Sequence, residues 1–209
     1  MKNDGVNHVC NVVDGSLGCL ACSRRVSPPP DPLVERFRSL GNRTAVYAGS
    51  FDPTTNGHIW MIRAAEQIFD GLHVAVAENP DKRNAFSISD RISMLKESLS
   101  LTDAPGEKVS VGSIGHTFLA LYARELGARY LVRGVRNQAD FAYEQAMRNV
   151  NEEIAPDLTT VFLVPPRELT DISSSVVKGM VGPQGWESVV SKMVSPSTLE
   201  RLKTWRKNP

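Results

Sequence analysis

Ten residues, Gly49-Ser50-Phe51-Asp52-Pro53-Thr54-Thr55-Asn56-Gly57-His58, join an apolar run to a stretch with helical periodicity. Gly49 lets the backbone approach a ligand closely. Ser50 offers a hydroxyl and a backbone N–H. Asn56-Gly57 suits a turn before a helix, which places His58 in the first helical turn. Free N–H groups and the helix dipole draw phosphate to such an end, and an imidazole there can donate to a phosphate oxygen. On these residues alone, a strand–helix loop with a surface histidine is the competing reading.

Three further clusters offer the same chemistry. Asn79-Pro80-Asp81-Lys82-Arg83 presents Lys82, a compact and mobile cation suited to a phosphoryl group whose charge changes during reaction. The same pair also suits a solvated basic surface. Arg133-Gly134-Val135-Arg136, followed by Asp140-Phe141-Ala142-Tyr143-Glu144, sets two guanidinium groups about a glycine, a phosphate clamp in principle. Ile172-Ser173-Ser174-Ser175-Val176-Val177-Lys178 supplies an N-cap and several donors, or simply an ordinary capped helix.

These clusters need a scaffold, and the hydrophobic pattern predicts one. Short apolar runs at 44–48, 72–77, 109–111, 130–132 and 160–164 read as buried strands. Helical spacing at Ile59, Ile62, Ala65 and Phe69 predicts the first intervening helix. Ser87, with Asp90 three residues on, resembles a capping box for a helix to about residue 99. Helices are expected at 118–126, ended by Gly127, and at 141–154, 173–180, 184–193 and 196–206. Strand–helix alternation through five strands implies right-handed crossovers and a parallel sheet. The predicted fold is therefore α/β, a Rossmann-like, doubly wound, five-stranded parallel sheet with C-terminal helices. Ligands in such sheets bind beyond the carboxyl ends of the strands, near a switch in strand order, and three of the clusters follow predicted strand ends.

The chain divides near residue 43. Residues 1–43 read as a flexible extension, in which Pro28-Pro29-Pro30 and Pro32 form a stiff, extended linker and 33–40 a short helix. Residues 44–209 form the folded domain, a length that suits one unit of roughly 160 residues with extra segments. The formal charge of +1 gives no global reason to expect nucleic acid or an anionic membrane as partner. No run approaches the ~18 apolar residues of a spanning helix. The N-terminus lacks a secretory core, and Asp4 and Asp14 argue against a transit peptide, so a soluble cytoplasmic protein is expected. Cys10, Cys19 and Cys22 all lie near the N-terminus, which excludes a disulfide scaffold for the main domain. With His8 they have the residue types for a zinc site, against a tail with incidental thiols.

Together the clusters resemble the phosphopantetheine adenylyltransferases of the nucleotidyltransferase superfamily, over about residues 44–195. Thr55-Asn56-Gly57-His58 is similar to that superfamily's T-x-G-H signature, Asn79 to Ser87 to N-P-x-K-x-x-x-F-S, Arg133 to Glu144 to R-G-[LV]-R-x-x-x-D-F-x-Y-E, and Ile172 to Lys178 to I-S-S-S-x-V-K. The resemblance implies that His58 and Lys82 stabilise the transition state. It implies that Ser50, Lys82, Leu119 and Arg133 bind the acceptor. It assigns ATP to Ser50, Phe51, His58, Gly134, Val135, Arg136, Glu144, Leu169, Thr170, Asp171, Ile172, Ser173, Ser174 and Ser175. Ser50 replaces the family's usual Thr, Leu169-Thr170-Asp171 its aromatic-Ser-Phe, and Val150-Asn151-Glu152 its Met-Asn-Arg.

The implied reaction is direct attack by the phosphate of 4'-phosphopantetheine on the α-phosphorus of ATP, with pyrophosphate leaving. Magnesium is expected with ATP, bridging its phosphates. The resemblance further implies a hexamer and feedback binding of coenzyme A. Ser50 also suits a nicotinamide-mononucleotide adenylyltransferase, and the charge reversal at Glu152 leaves open a nucleotide-binding regulatory protein without catalysis.

Overall fold

The computed structural model describes residues 11–13, 16–18, 31–78, 84–102, 104 and 107–207. His8, the three cysteines and the segment 79–83, with Lys82, lie outside the described residues. Near the N-terminus β1 (Asn11–Val13) and β2 (Ser16–Gly18) pair antiparallel. Helix α1 (Pro32–Ser39) lies within the segment read as an extension, yet it packs on the domain: Leu33 and Val34 join an apolar cluster, and Arg36 donates to the carbonyl of Glu107 at 2.6 Å.

The domain then alternates as predicted: β3 (Thr44–Gly49), α2 (Asn56–Ile68), β4 (Gly71–Ala77), α3 (Ile88–Leu99), β5 (Val109–Ile114), α4 (Leu119–Glu125), β6 (Tyr130–Gly134), α5 (Gln138–Ile154) and β7 (Thr159–Leu163). A 3₁₀ turn (Arg167–Leu169) and helices α6 (Ser174–Met180), α7 (Trp186–Val190) and α8 (Pro196–Lys207) complete it. The five main strands are all parallel, in the order β5-β4-β3-β6-β7. The chain winds outward from β3 through β4 to β5, then returns to lay β6 on the other side of β3. The switch in direction therefore falls between β3 and β6.

Both sheet faces are covered, and alternate residues of β3 serve them. Ala45 and Tyr47 join the cluster with Ile62, Leu72 and Leu95, while Val46 and Ala48 join the one with Ala120, Ala123 and Leu131. A third cluster, with Met94, Val177, Trp186 and Leu202, fixes the C-terminal helices against α3. Ser87 caps α3 as expected, accepting from the Asp90 N–H at 3.1 Å. Gly127, at φ +77°, follows α4 in the left-handed conformation that ends many helices.

Several boundaries differ from the hydrophobic pattern, among them α7, which spans Trp186–Val190 where a helix over 184–193 is expected. Strand β5 runs on through Gly112 and Ser113, which an edge strand tolerates because one side needs no apolar packing. Strand β6 includes Arg133 and Gly134, whose backbones stay in register with Phe162 and Leu163. Helix α5 starts at Gln138, because the Asn137 side chain caps it by accepting from the Asp140 N–H at 2.9 Å.

Candidate active site

The loop from β3 to α2 leaves the sheet at the switch point. Phe51 within it adopts φ +50°, an uncommon conformation for a bulky residue. Its ring is fully buried, edge-on to Tyr47 at 5.5 Å and to His58 at 5.0 Å. Phe51 thus serves as the loop's anchor and lines neither of the cavities described below.

Thr55 is the N-cap of α2 and builds a reciprocal capping box with His58. Its hydroxyl accepts from the His58 N–H, and its own N–H donates to His58 Nδ1 at 3.1 Å. A backbone N–H can only donate, so Nδ1 is the ring's acceptor and a neutral ring carries its proton on Nε2. Burial, with help from the nearby Arg136 charge, lowers the His58 pKa to about 4. At neutral pH His58 is therefore an uncharged donor at a helix N-terminus, facing a cavity of about 280 Å³.

The opposite wall comes from β6 and α5. Arg133 holds Glu144 in a bidentate pair at 2.6 and 2.7 Å and donates to the Ala48 carbonyl at 3.1 Å. Burial opposes the Arg133 charge, but the Glu144 hydrogen bonds outweigh it and raise the pKa further. Three of the five guanidinium N–H donors are thereby committed, and two remain for a ligand. Arg136 pairs with Asp140 at 2.8 Å. Burial pushes the Asp140 carboxyl up, but the Arg136 hydrogen bonds prevail and hold it below its usual value.

The three serines divide their work. Ser173 caps α6 by accepting from the Val176 N–H. Ser174 donates to the Pro53 carbonyl at 2.8 Å, tying α6 to the loop. Ser174 and Ser175 both border the first cavity and a second one of about 520 Å³, as does Arg133. Ser50, Asp52, Glu78, Asn84 and Lys178 also line the second cavity.

Of the residues singled out from the sequence, the structure gathers His58, Arg133, Gly134, Arg136, Glu144, Leu169, Ile172 and the three serines around the first cavity. Ser50 borders the second. Thr170, Asp171 and Val135 line neither, and Val135 is bound through its N–H to the Leu163 carbonyl. Leu119 also lines neither and packs with the cluster of Ala120 and Ala123. Glu152 pairs with Arg148 one turn away on an exposed stretch of α5, which gives the charge reversal a solvent-facing partner away from both cavities.

Two features escaped the sequence reading. Asp52 is buried and binds Lys178 at 2.6 Å. Arg91 is fully buried and donates to the carbonyls of Ser50 and Ala77, at 2.8 and 3.0 Å, and to that of Phe86 at 3.1 Å. The signal for Arg91 lay in its spacing, since it continues the core-facing stripe of Met94, Leu95 and Leu99 where an apolar residue belongs.

Residues 46–180 match the Cytidylyltransferase-like family model. The chain is 50% identical over 160 residues to the phosphopantetheine adenylyltransferase of Chromobacterium violaceum, a match covering 77% of this chain and 95% of that one. It is 45% identical over 160 residues to the phosphopantetheine adenylyltransferase of Neisseria meningitidis serogroup C, covering 77% and 92%. Among solved structures, the Plasmodium falciparum nicotinic acid mononucleotide adenylyltransferase complexed with APC superposes with a TM-score of 0.57 at 13% identity, over 79% of this chain and 96% of that one. That likeness is one of fold.

Proposed function

The chain belongs to the phosphopantetheine adenylyltransferases, and we propose that it transfers AMP from ATP to 4'-phosphopantetheine across the wall its two cavities share. The observation that carries this reading is that wall. Arg133, Ser174 and Ser175 border both cavities, with His58 on one side and Ser50 and Lys178 on the other. ATP occupies the first cavity, between α2, Gly134 and the serine-bearing end of α6. The acceptor occupies the second, and the family resemblance assigns Lys82 to the stabilisation of the reacting phosphates.

The acceptor's phosphate attacks the α-phosphorus in line, forming one P–O bond as the bond to pyrophosphate breaks. Such a transfer depends on positioning and charge stabilisation. His58, with Nδ1 occupied by the Thr55 N–H, donates its Nε2–H to a phosphoryl oxygen. Arg133 offers its two uncommitted N–H donors at the junction.

Magnesium accompanies ATP. Asp52, Glu78, Asp140 and Glu144 each face a cation, Lys178, Arg91, Arg136 and Arg133 respectively. Among the described residues no group of three or more His, Cys, Asp or Glu is placed to hold a metal ion. This donor set fits a metal carried by the nucleotide's own phosphates, where it would neutralise their charge.

We place the enzyme in the cytoplasm, with its ATP supply; among the described residues no helix is long and apolar enough to cross a membrane. Coenzyme A contains the phosphopantetheine arm and would compete at the second cavity. Self-association, to a hexamer by resemblance, is supported by Tyr143, Met147 and Val150, which expose an apolar stripe along α5.

Pyrophosphate release with ATP, magnesium and either acceptor tests the assignment. Release with 4'-phosphopantetheine is expected. Release only with nicotinamide mononucleotide or its nicotinic acid counterpart, or with neither kind of acceptor despite ATP binding, would overturn it. Ser50 is the one residue that favours the pyridine nucleotide.

A further inference from the structure

We propose that Asp52 is a positioning residue for the acceptor side of the site, fixing Lys178 and the Ala85-Phe86 backbone at the second cavity. The inference rests on the division of substrates between the two cavities given above.

Asp52 is 3% exposed and its carboxylate has donors from two distant segments. Its Oδ2 accepts from Lys178 Nζ at 2.6 Å and from the Ala85 N–H at 3.0 Å. Its Oδ1 accepts from the Phe86 N–H at 2.9 Å. One side chain thus joins the β3–α2 loop, the stretch before α3 and helix α6. Each of these segments supplies wall to the second cavity: Ser50 and Asp52 from the loop, Asn84 from the stretch, and Ser174, Ser175 and Lys178 from the helix. Asp52 does not border the first cavity, where His58, Gly134 and Arg136 lie.

A buried carboxylate with three donors restricts geometry in a way an exposed ion pair does not. It holds the Lys178 ammonium at the cavity wall. It also pins the chain at Ala85 and Phe86, two residues beyond the segment that carries Lys82. Loss of Asp52 therefore acts first on acceptor binding, and a purely structural role would damage both substrates together.

The test compares the full chain with Asp52→Ala, Asp52→Asn, Lys178→Met and the Asp52→Asn/Lys178→Met pair. It reads melting temperature and KM for ATP and for 4'-phosphopantetheine. Asp52→Ala should raise the acceptor KM at least about tenfold while the ATP KM stays within about threefold. Asp52→Asn keeps one amide oxygen for the backbone donors and should recover part of that loss. Asp52→Asn and Lys178→Met should be non-additive in acceptor kcat/KM, as coupled neighbours are. Parallel loss of both affinities in step with melting temperature would overturn the proposal, as would an unchanged acceptor KM. If Asp52→Ala does not fold, Lys178→Met decides: a raised acceptor KM supports the proposal and an unchanged one ends it. Turnover by the unmodified protein checks the substrate assignment separately. Should it use nicotinic acid mononucleotide instead, the same KM comparison with that acceptor still decides the role of Asp52.

Discussion

The backbone N–H of Thr55 donates to Nδ1 of His58 over 3.1 Å, inside the capping box that starts α2. One contact therefore both begins the helix and selects the histidine tautomer. Burial, then the charge of Arg136, keeps that ring neutral with a pKa of about 4. Nitrogen NMR should show the Nε2–H tautomer with no titration of His58 from about pH 8 to about pH 5.5, whereas an unperturbed ring titrates near 6.5. A midpoint between those limits would contradict the assignment. Replacement His58→Ala should cost about 10²–10³ in turnover with ATP binding largely retained, by calorimetry.

Arg133 and Glu144 should be inseparable in stability. Both are largely buried, at 22% and 11% side-chain exposure. Removing one partner strands the other's charge, at about 3 kcal/mol or more. Glu144→Ala should therefore lower the urea midpoint markedly, and Arg133→Ala by a similar amount. A cycle showing the two losses simply adding would mean the pair is not coupled.

Much of this arrangement is legible in the amino-acid sequence. Apolar runs separated by helical spacing mark five parallel strands, and the reversal in strand order falls where Gly49 ends β3 and Gly134 ends β6. The Ser87–Asp90 cap is short-range and could be read from spacing, whereas α2 starts at Asn56 with Thr55 as its cap and not after an Asn56-Gly57 turn. The rest depended on contacts between distant residues. Asp52 meets Lys178 across 126 positions, which no local pattern announces. Arg133 stayed in its strand because β7 continued beside it, a tertiary fact. The packing of α1 depends on Arg36 reaching the carbonyl of Glu107, 71 residues away.

Arg91 should be a second stability determinant. Its side chain is fully buried and serves carbonyls of the active-site loop, of β4 and of the stretch before α3. Arg91→Met removes the donors and leaves those carbonyls unsatisfied, each worth roughly 1–3 kcal/mol. Chemical denaturation should show a large loss, and Arg91→Lys should recover little because an ammonium lacks the planar fork. Near-normal stability of Arg91→Met would refute this role.

His73 should make the fold acid-sensitive. It is buried between β5 and α4, with Ser110 at 2.8 Å and Tyr122 at 2.9 Å. Burial, then the Arg36 charge, lowers its pKa to about 4. The unfolded chain, with histidine near 6.5, binds the proton first. The stability His73 contributes is complete above about pH 6.5 and is lost as pH falls toward 4. Urea midpoints across that range should fall more steeply for the natural protein than for His73→Phe, which has no proton to gain. Equal slopes would exclude His73 as the source.

The central claim, transfer of AMP between two cavities that meet at Arg133, is tested most directly by following label from ATP. With 4'-phosphopantetheine and magnesium present, phosphorus label in the α position should appear in the acceptor product, and label in the γ position in pyrophosphate. Label from the γ position in the acceptor product, or no α label there, would contradict the account.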